Sequence, residues 1–244
     1  MNNGIYSAAT GMLSQGRALD VTASNLANIN TAGYKRDRMV LSTFGELTVN
    51  RIESGKTEIG THTHGAIASA IVTDASQGTL EVTGRTLDFA ILGEGYFSIE
   101  TVAGESAVTR DGRFHTDAEG YLRTAADDYV LGQGGRIQLP RGEITVGEGG
   151  ALFNGGQPVG QLAIVVPGEE ADSTKLPNNL MTQPDGAGAF EGRIAQGQLE
   201  RSNVDMVEEM TAMMAASRAF QSCAQAIKTL DAASQKTVNE IGRL

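Results

Sequence analysis

The chain has 244 residues and a formal net charge of −10, and this length allows one or two domains with their own cores. The acidic balance argues against a protein that binds nucleic acid, because binding to phosphates needs clustered cations. The single cysteine, Cys223, excludes an intramolecular disulfide and a cysteine-based zinc cage.

Glycine and proline divide the chain into three parts. Residues 1–34 hold four of the 31 glycines, residues 203–244 hold only Gly242, and all five prolines lie between them. Because these residue types break helices and mark turns, the two ends are predicted to be helical and the middle to be β-structure. We therefore predict an α+β fold with a helical core domain (residues 1–34 plus 203–244), an extended connecting segment (35–80) and an antiparallel all-β domain (81–200).

At both ends of the chain, apolar residues recur every seven positions. The stripe near the start consists of Ile5, Met12, Leu19 and Leu26, and the stripe near the end consists of Met206, Met213, Phe220, Ile227 and Ile241, interrupted at Ser234. A period of seven keeps one stripe facing a partner helix, as in a coiled coil. Either helix alone is also compatible with an ordinary amphipathic helix that packs on its own domain. Their occurrence at both ends favours pairing between the ends.

Local signals place boundaries within this frame. Asp205 followed by Glu208 resembles a capping box that begins the last helix. Asp111-Gly112 and Glu119-Gly120 predict hairpin turns between short strands of the middle segment. The sequence QGTLE at 77–81 is matched by QGQLE at 196–200. These two copies are interpreted as marking where the chain leaves and re-enters the helical part.

Candidate catalytic and ligand sites fail on inspection. Ser54-Gly55-Lys56-Thr57 contains the GKT of a phosphate-binding loop, but Asn50 stands where that loop needs a glycine. His62 and His64 alternate like metal ligands on a strand, yet a solvated loop is the simpler interpretation. Carboxylates are dispersed through the middle segment without a distinct pair. We therefore predict no catalytic residue, no cofactor and no metal.

Four blocks, in order, resemble the rod and hook family of the bacterial flagellum. ANINTAGYK at 27–35 resembles the signature A-N-x-N-T-x-G-Y/F-K. The second and third blocks, at 77–97 and 109–122, resemble Q-G-x-L … L-D-x-A-I-x-G-x-G-F/Y-F and T-R-x-G … D-x-x-G-x-L. LERSNVD at 199–205 resembles L-E-x-S-N-V-D, the family's entry to the last helix, and Arg218-Ala219-Phe220 follows in its R-A-Y/F position.

The resemblance implies a structural subunit. Both terminal helices would pair and pack with neighbouring subunits into a helical tube, the torque-transmitting rod that crosses the periplasm. The implied partners are copies of the same chain, other rod subunits and the flagellar export apparatus. No basic segment followed by an apolar one begins the chain, so we expect export without a cleaved signal peptide. No apolar run of about 18 residues occurs, so we expect no membrane insertion.

The signature segment is predicted to be a hinge. Asn28, Asn30 and Thr31 have short side chains that bond nearby backbone and end a helix, and Gly33 permits a backbone angle closed to other residues. With Tyr34, these residues form the expected bend where the first helix turns toward the outer parts of the molecule.

Within the family, two rod positions and one other class of function are considered. The chain is short for a hook protein, and residues 36–75 are short beside the distal-rod subunit. VEEMTAMM at 207–214 resembles the V-E-x-M-T-x-M-I of the proximal-rod subunit, which is favoured over the distal one. A wall-modifying hydrolase in the β-domain is the alternative from another class. It needs two placed carboxylates, and none stands out.

Overall fold

The computed structural model describes residues 2–43, 46–51, 57–63, 66–168, 175–182, 190 and 192–241. Within these ranges, only the backbone is described for residues 2, 3, 43, 46–51, 57–63, 66–68, 177, 240 and 241. Contacts divide the chain into two units. The first unit contains Met1–Ala27, Asp37–Asp74 and Asp205–Leu244, and the second contains Asn28–Arg36 and Ala75–Val204.

Two long helices dominate the first unit. Helix α1 spans Asn2–Ala27 and helix α2 spans Met206–Ile241, and the two pack against each other. The Asp205 carboxylate caps α2, since its Oδ1 accepts hydrogen bonds from the backbone N–H groups of Val207 (2.8 Å) and Glu208 (2.9 Å). The predicted α+β fold with paired terminal helices is therefore confirmed. Neither described helix is long and apolar enough to cross a membrane.

The helices run antiparallel, with glycines of α1 at close approach. A Cβ added at Gly4 would lie 3.4 Å from Leu230 Cδ1, and one added at Gly11 would lie 3.2 Å from Cys223 Sγ. Because the partner's number falls as the α1 number rises, the two chain directions are opposed. Glycine within a helix is destabilising by roughly 0.5–1 kcal/mol relative to alanine, and here the missing methyl groups allow the helices to approach closely.

A two-stranded ribbon completes the first unit. Strand β1 (Asp37–Thr43) pairs with β4 (Ala66–Thr73), and β2 (Glu46–Arg51) pairs with β3 (Thr57–Thr63), both antiparallel. Strands β1 and β4 also contact α1. By contacts, residues 28–34 and 203–204 lie in the β-rich unit, and these four strands lie with the helices. The sequence-derived domain limits stay a prediction.

The second unit consists of short strands, and all its described strand pairs are antiparallel. The strands are β5 Leu80–Val82, β6 Phe89–Leu92, β7 Tyr96–Glu100, β8 Ser106–Thr109, β9 Phe114–Thr116, β10 Leu122–Thr124, β11 Tyr129–Gly132, β12 Gly135–Arg136, β13 Ile144–Val146, β14 Ala151–Asn154, β15 Gln157–Gln161, β16 Ile164–Val165, β17 Lys175–Leu176, β18 Leu180–Thr182, β19 Arg193–Gln196 and β20 Gln198–Glu200.

The largest sheet of this unit has the strand order β17-β18-β8-β7-β11-β10-β9, with β12 beside β11 and β16 beside β7. Smaller sheets are β13-β14-β15, β19-β6 and β20-β5. Besides a small cluster of Tyr96, Val108, Val165 and Met181, the buried apolar side chains form one main core. At its centre, the rings of Phe97 and Phe114 meet edge to face with centroids 5.1 Å apart, the arrangement that aromatic quadrupoles favour.

One turn prediction is confirmed and another is wrong. Glu119-Gly120 lies in the hairpin that joins β9 to β10, and Gly120 has a φ of +87°. Asp111-Gly112 makes no hairpin, because β8 and β9 lie at different places in the sheet. Gly112 instead lies against the backbone of Phe89, whose N–H donates to its carbonyl at 3.0 Å. A Cβ at Gly112 would overlap the carbonyl oxygen of Phe89, so close approach explains this glycine.

Candidate functional site

A buried ionic cluster lies in the second unit and joins three distant segments of the sequence. It consists of Lys35 from the segment after α1, Arg110 after β8 and Glu200 at the end of β20. Their side chains are 3%, 4% and 1% exposed, respectively. Charged groups are almost never buried to this degree unless they are paired.

Glu200 is the centre of the cluster. Its Oε1 accepts hydrogen bonds from Lys35 Nζ at 2.7 Å and from the backbone N–H of Gly78 at 2.9 Å. Its Oε2 accepts one from Arg110 Nε at 2.6 Å. Its own backbone carbonyl accepts from the N–H of Gly33 at 2.8 Å. Glu200 therefore binds four points on three segments.

The two cations hold further backbone oxygens. Lys35 Nζ donates to the carbonyls of Ala75 at 3.2 Å and Ser76 at 2.7 Å. The Arg110 guanidinium donates to the carbonyls of Ile91, Gly93 and Gly95 around the β6–β7 turn. Fully hydrogen-bonded buried pairs of this kind offset the desolvation of their charges. The cluster thus holds together the β6–β7 turn, the segment at Ala75 and Ser76, and the signature segment that contains Lys35.

The environment of Glu200 favours its charged form. Burial alone raises the pKa of this carboxyl. The charge of Arg110, the hydrogen bond from Lys35 and the N–H of Gly78 outweigh burial, so the pKa lies below the ordinary value of 4.5.

This pKa predicts a loss of stability in acid. A carboxyl whose pKa is lowered by folding stabilises the native state above its unfolded pKa, and this contribution is lost as the pH falls through the folded pKa. We expect wild type to be more stable than Glu200→Gln at neutral pH, and the difference in unfolding free energy to shrink below about pH 4.5. Urea titrations of both proteins between pH 3 and 7 measure it. A difference independent of pH would contradict the ionised Glu200.

The predicted hinge residues form two consecutive turns beside this cluster. The N–H of Thr31 donates to the Asn28 carbonyl at 3.0 Å, and the N–H of Tyr34 donates to the Thr31 carbonyl at 3.3 Å. Asn28 Oδ1 also accepts from Thr31 Oγ1 at 3.1 Å. Asn30 is exposed and Tyr34 is buried, with Lys175 Nζ 4.3 Å from the centroid of the Tyr34 ring. The hinge role of these residues stays a prediction.

Gly33 is required here for two reasons. Its φ is +66°, and a Cβ would lie 2.5 Å from the carbonyl oxygen of Arg110. We expect Gly33→Ala to destabilise the protein by more than the roughly 1–2 kcal/mol of a left-handed alanine alone. Gly104→Ala is the matched control, because Gly104 has a φ of +85° and nothing within 4 Å of an added Cβ. Denaturant midpoints of the two variants compare their losses of stability. Equal losses would show that the close approach of the Arg110 backbone to residue 33 has no effect.

Hydrogen bonds within each unit fix the segments at which the chain passes from one unit to the other. In the second unit, Asn203 Oδ1 accepts from the N–H of Arg36 at 2.7 Å, and Asn203 Nδ2 donates to the carbonyl of Ser76 at 3.1 Å. In the first unit, Asn25 and Asp37 exchange two hydrogen bonds of 2.9 and 3.0 Å through the Asn25 amide. These ties hold each segment at its point of passage.

The predicted packing stripes lie as follows. Ile5, Met12, Leu19, Leu26, Met213, Phe220 and Ile227 are half-buried, Met206 is 50% exposed, and the side chain of Ile241 lies outside the described residues. The most buried positions of α1 are instead Ser14, Val21 and Asn25. Val21 lines a cavity of about 350 Å³ with Met39 and Ser69 of the ribbon, so the ribbon accounts for this second buried side.

Sequence reasoning did not single out the ionic cluster. Lys35, Arg110 and Glu200 each stand inside a recognised block, GYK, TR and LE respectively. The sequence feature that could have indicated them is a charged residue within a block of otherwise apolar or turn-forming residues. Among the described residues, no group of three His, Cys, Asp or Glu side chains is placed to hold a metal ion. His64 and most of the GKT segment lie outside the described residues.

Three protein-family descriptions match the chain in order. "Flagella basal body rod protein" matches residues 5–35, "Flagellar hook protein FlgE/F/G D1 domain" matches 90–154, and "Flagellar basal body rod FlgEFG protein C-terminal" matches 195–240. Paired terminal helices with an intervening β-unit therefore define a structural subunit of the flagellar axis.

Full-length relatives agree with this class. The chain is 34% identical to the flagellar basal-body rod protein FlgG of Bacillus subtilis, over 98% of this chain and 99% of the relative. It is 32% identical to FlgF of Caulobacter vibrioides over the whole of both chains. It is 35% identical to FlgG of Agrobacterium fabrum over 92% of this chain and 94% of the relative.

The chain belongs to the flagellar basal-body rod protein family. It is a structural rod subunit and not an enzyme, and its location is the rod of the basal body.

Proposed function

We propose that this chain is a proximal-rod subunit of the FlgF type, which polymerises through its terminal helices into the torque-transmitting shaft. The observation that carries polymerisation is the distribution of exposed apolar side chains. Among the described residues, the large apolar side chains in solvent lie in the first unit, except for Val82, Leu92 and Val102. A soluble monomer rarely exposes apolar side chains in such concentration, and this marks an interaction surface.

The proximal position is supported by the sequence of α2. Residues 207–214, VEEMTAMM, resemble the proximal pattern V-E-x-M-T-x-M-I, with Met214 in place of its final isoleucine, and Val207, Met210 and Met214 are exposed. The ribbon between residues 37 and 73 is short, in line with a subunit that lacks the insert of the distal type. The distal position, of the FlgG type, is the second candidate because relatives of both names match the full length.

The partners follow from this role. We assign the half-buried stripe residues of α1 and α2 to helix packing and the segment 28–34 to the hinge. Copies of the chain and other rod subunits are the assembly partners. The flagellar export apparatus carries the chain across the inner membrane. The chain works without a cofactor, without nucleic acid and without insertion into the membrane.

Deletion of the encoding gene tests the rod position. We expect non-motile cells whose purified basal bodies hold a rod that stops near the inner membrane, because later subunits have nothing to build on. Rods that lack only their outer part would assign the distal position. Motile cells with complete basal bodies that lack this chain would contradict a rod function. Re-expression of the full chain must restore motility for either result to count.

A further inference from the structure

The solvent side of α1 is apolar only near its beginning. Tyr6 is 64% exposed and Leu13 is 69% exposed, and their spacing of seven places them on one side of the helix. Further along this side, Arg17, Asp20 and Ser24 are exposed and polar. Tyr6 and Leu13 are called the α1 patch.

The solvent side of α2 has the same asymmetry. Met206, Val207, Met210 and Met214 are 49–71% exposed and cover the first three turns. Beyond them, exposed positions such as Arg218, Ser222 and Gln225 are polar, and the next large exposed apolar side chain of the described helix is Val238, 69% exposed and 24 residues after Met214. These four apolar residues are called the α2 patch.

The two patches lie at opposite ends of the helix pair. Gly11 faces Cys223 and Gly16 faces Phe220, so Leu13 lies at the level of residues near 222. Met214 is about eight residues nearer the beginning of α2, which corresponds to roughly 12 Å at 1.5 Å per residue. The α1 patch and the α2 patch therefore lie at opposite ends of the helix pair, and they have different sequences.

We propose that the α1 patch of one copy packs on the α2 patch of the next copy. The inference rests on the proposed function and names the faces through which copies meet. Contact between two different faces is heterologous, and when its rotation does not close, it generates an open helical assembly rather than a dimer. Methionine side chains suit such a face because they adapt to an irregular partner surface.

Charge favours this pairing over contact between two α2 patches. Asp205 and Glu208 are exposed beside the α2 patch, so two such patches face to face would bring carboxylates together. Residues 2–16 of α1 carry no charged side chain. The α1 patch therefore covers the acidic beginning of α2 without like-charge repulsion.

The size of the patches explains why the contact serves an array. Two apolar residues on one side and four on the other are far fewer than the about 20–30 residues a side of a stable interface. One contact is too small to hold a dimer in dilute solution. Repetition along the rod supplies the remaining contacts through effective concentration.

Cysteine cross-linking of the full chain tests the proposal. In a Cys223→Ser background, Leu13→Cys and Met210→Cys are placed in the same chain and oxidised at raised protein concentration. The two positions are separated by roughly 17 Å or more along the helices, which is beyond the reach of an intramolecular disulfide. We expect a ladder of covalent dimers, trimers and higher oligomers, at least tenfold stronger than in the control.

The control pair is Ser24→Cys with Gln225→Cys, two exposed polar positions at opposite ends of the same helices. An equal ladder from the control pair would overturn the proposal. So would dimers from Met210→Cys alone in equal yield, since they indicate contact between two α2 patches. No ladder from the patch pair, in a chain found in purified rods, would overturn the assignment of faces alone. Absence of the chain from rods would instead contradict the proposed function.

Discussion

Glu200→Gln is expected to reduce the free energy of unfolding by about 3–5 kcal/mol, the usual effect of removing one partner from a buried ion pair. The substitution keeps the size of the side chain and removes the one negative charge that pairs with both Lys35 and Arg110. Urea unfolding followed by tyrosine fluorescence measures this loss, since the chain has five tyrosines and no tryptophan.

Glu81→Gln is the matched control for this substitution. Glu81 faces Leu199 across the β5–β20 pair, and its side chain is 61% exposed, 3.7 Å from Arg201. An exposed pair of this kind contributes at most about 1 kcal/mol. Equal effects of the two substitutions would show that the ionic cluster adds nothing beyond a surface pair. Lys35→Met in the Glu200→Gln background should recover part of the loss, because it removes one of the two buried cations.

Phe220→Asp is expected to separate the two helices while leaving the second unit folded. The Phe220 ring lies 3.9 Å from the position of a Cβ on Gly16, so the substitution puts a carboxylate against α1 and removes apolar contact. Truncation of a buried Phe costs about 3–5 kcal/mol. Because Phe220 is half-buried, the lower end of this range is expected, with the unpaired charge added to it.

Circular dichroism at 222 nm and hydrogen exchange together measure this result. Helical signal should fall, while amides near Phe97 and Leu122 stay protected. Gln221→Asp places the same charge on the exposed neighbouring position and should change stability by less than about 0.5 kcal/mol. In the cell, Phe220→Asp should abolish motility. Normal swimming of this variant would mean that contact between α1 and α2 at Phe220 is dispensable.

Periodicity and breaker residues predicted the fold class, because a period of seven and the absence of proline are properties of local sequence. They did not predict which side of α1 is most buried. Val21 and Asn25 are buried in part by the ribbon, and the position of a ribbon on a helix depends on tertiary contacts. The Asp111-Gly112 turn failed for a related reason, since Gly112 serves an approach to Phe89 that no local pattern reveals.

The ionic cluster was beyond sequence reasoning because its members are far apart. Lys35 and Glu200 are separated by 165 positions, and no periodicity connects them. The repeated QGxLE blocks contained part of the information on where Glu200 lies. Leu80 of the first block pairs with Glu200 of the second across the β5–β20 ladder. The blocks were interpreted as boundary marks, and the structure shows that they also pair with each other.

The separation between Lys35 and Glu200 has a consequence for the order of events in the life of the chain. Synthesis runs from the N-terminus, so Lys35 and Arg110 exist before their common carboxylate. Until residue 200 is present, both cations have a lower free energy in water than in the interior of the second unit, because burying an unpaired charge is costly. Closing a loop of this length is entropically unfavourable and slow compared with local contacts. The second unit therefore cannot complete its interior before nearly the whole chain is available. The synthesis of Glu200 sets the earliest point at which this unit can finish folding.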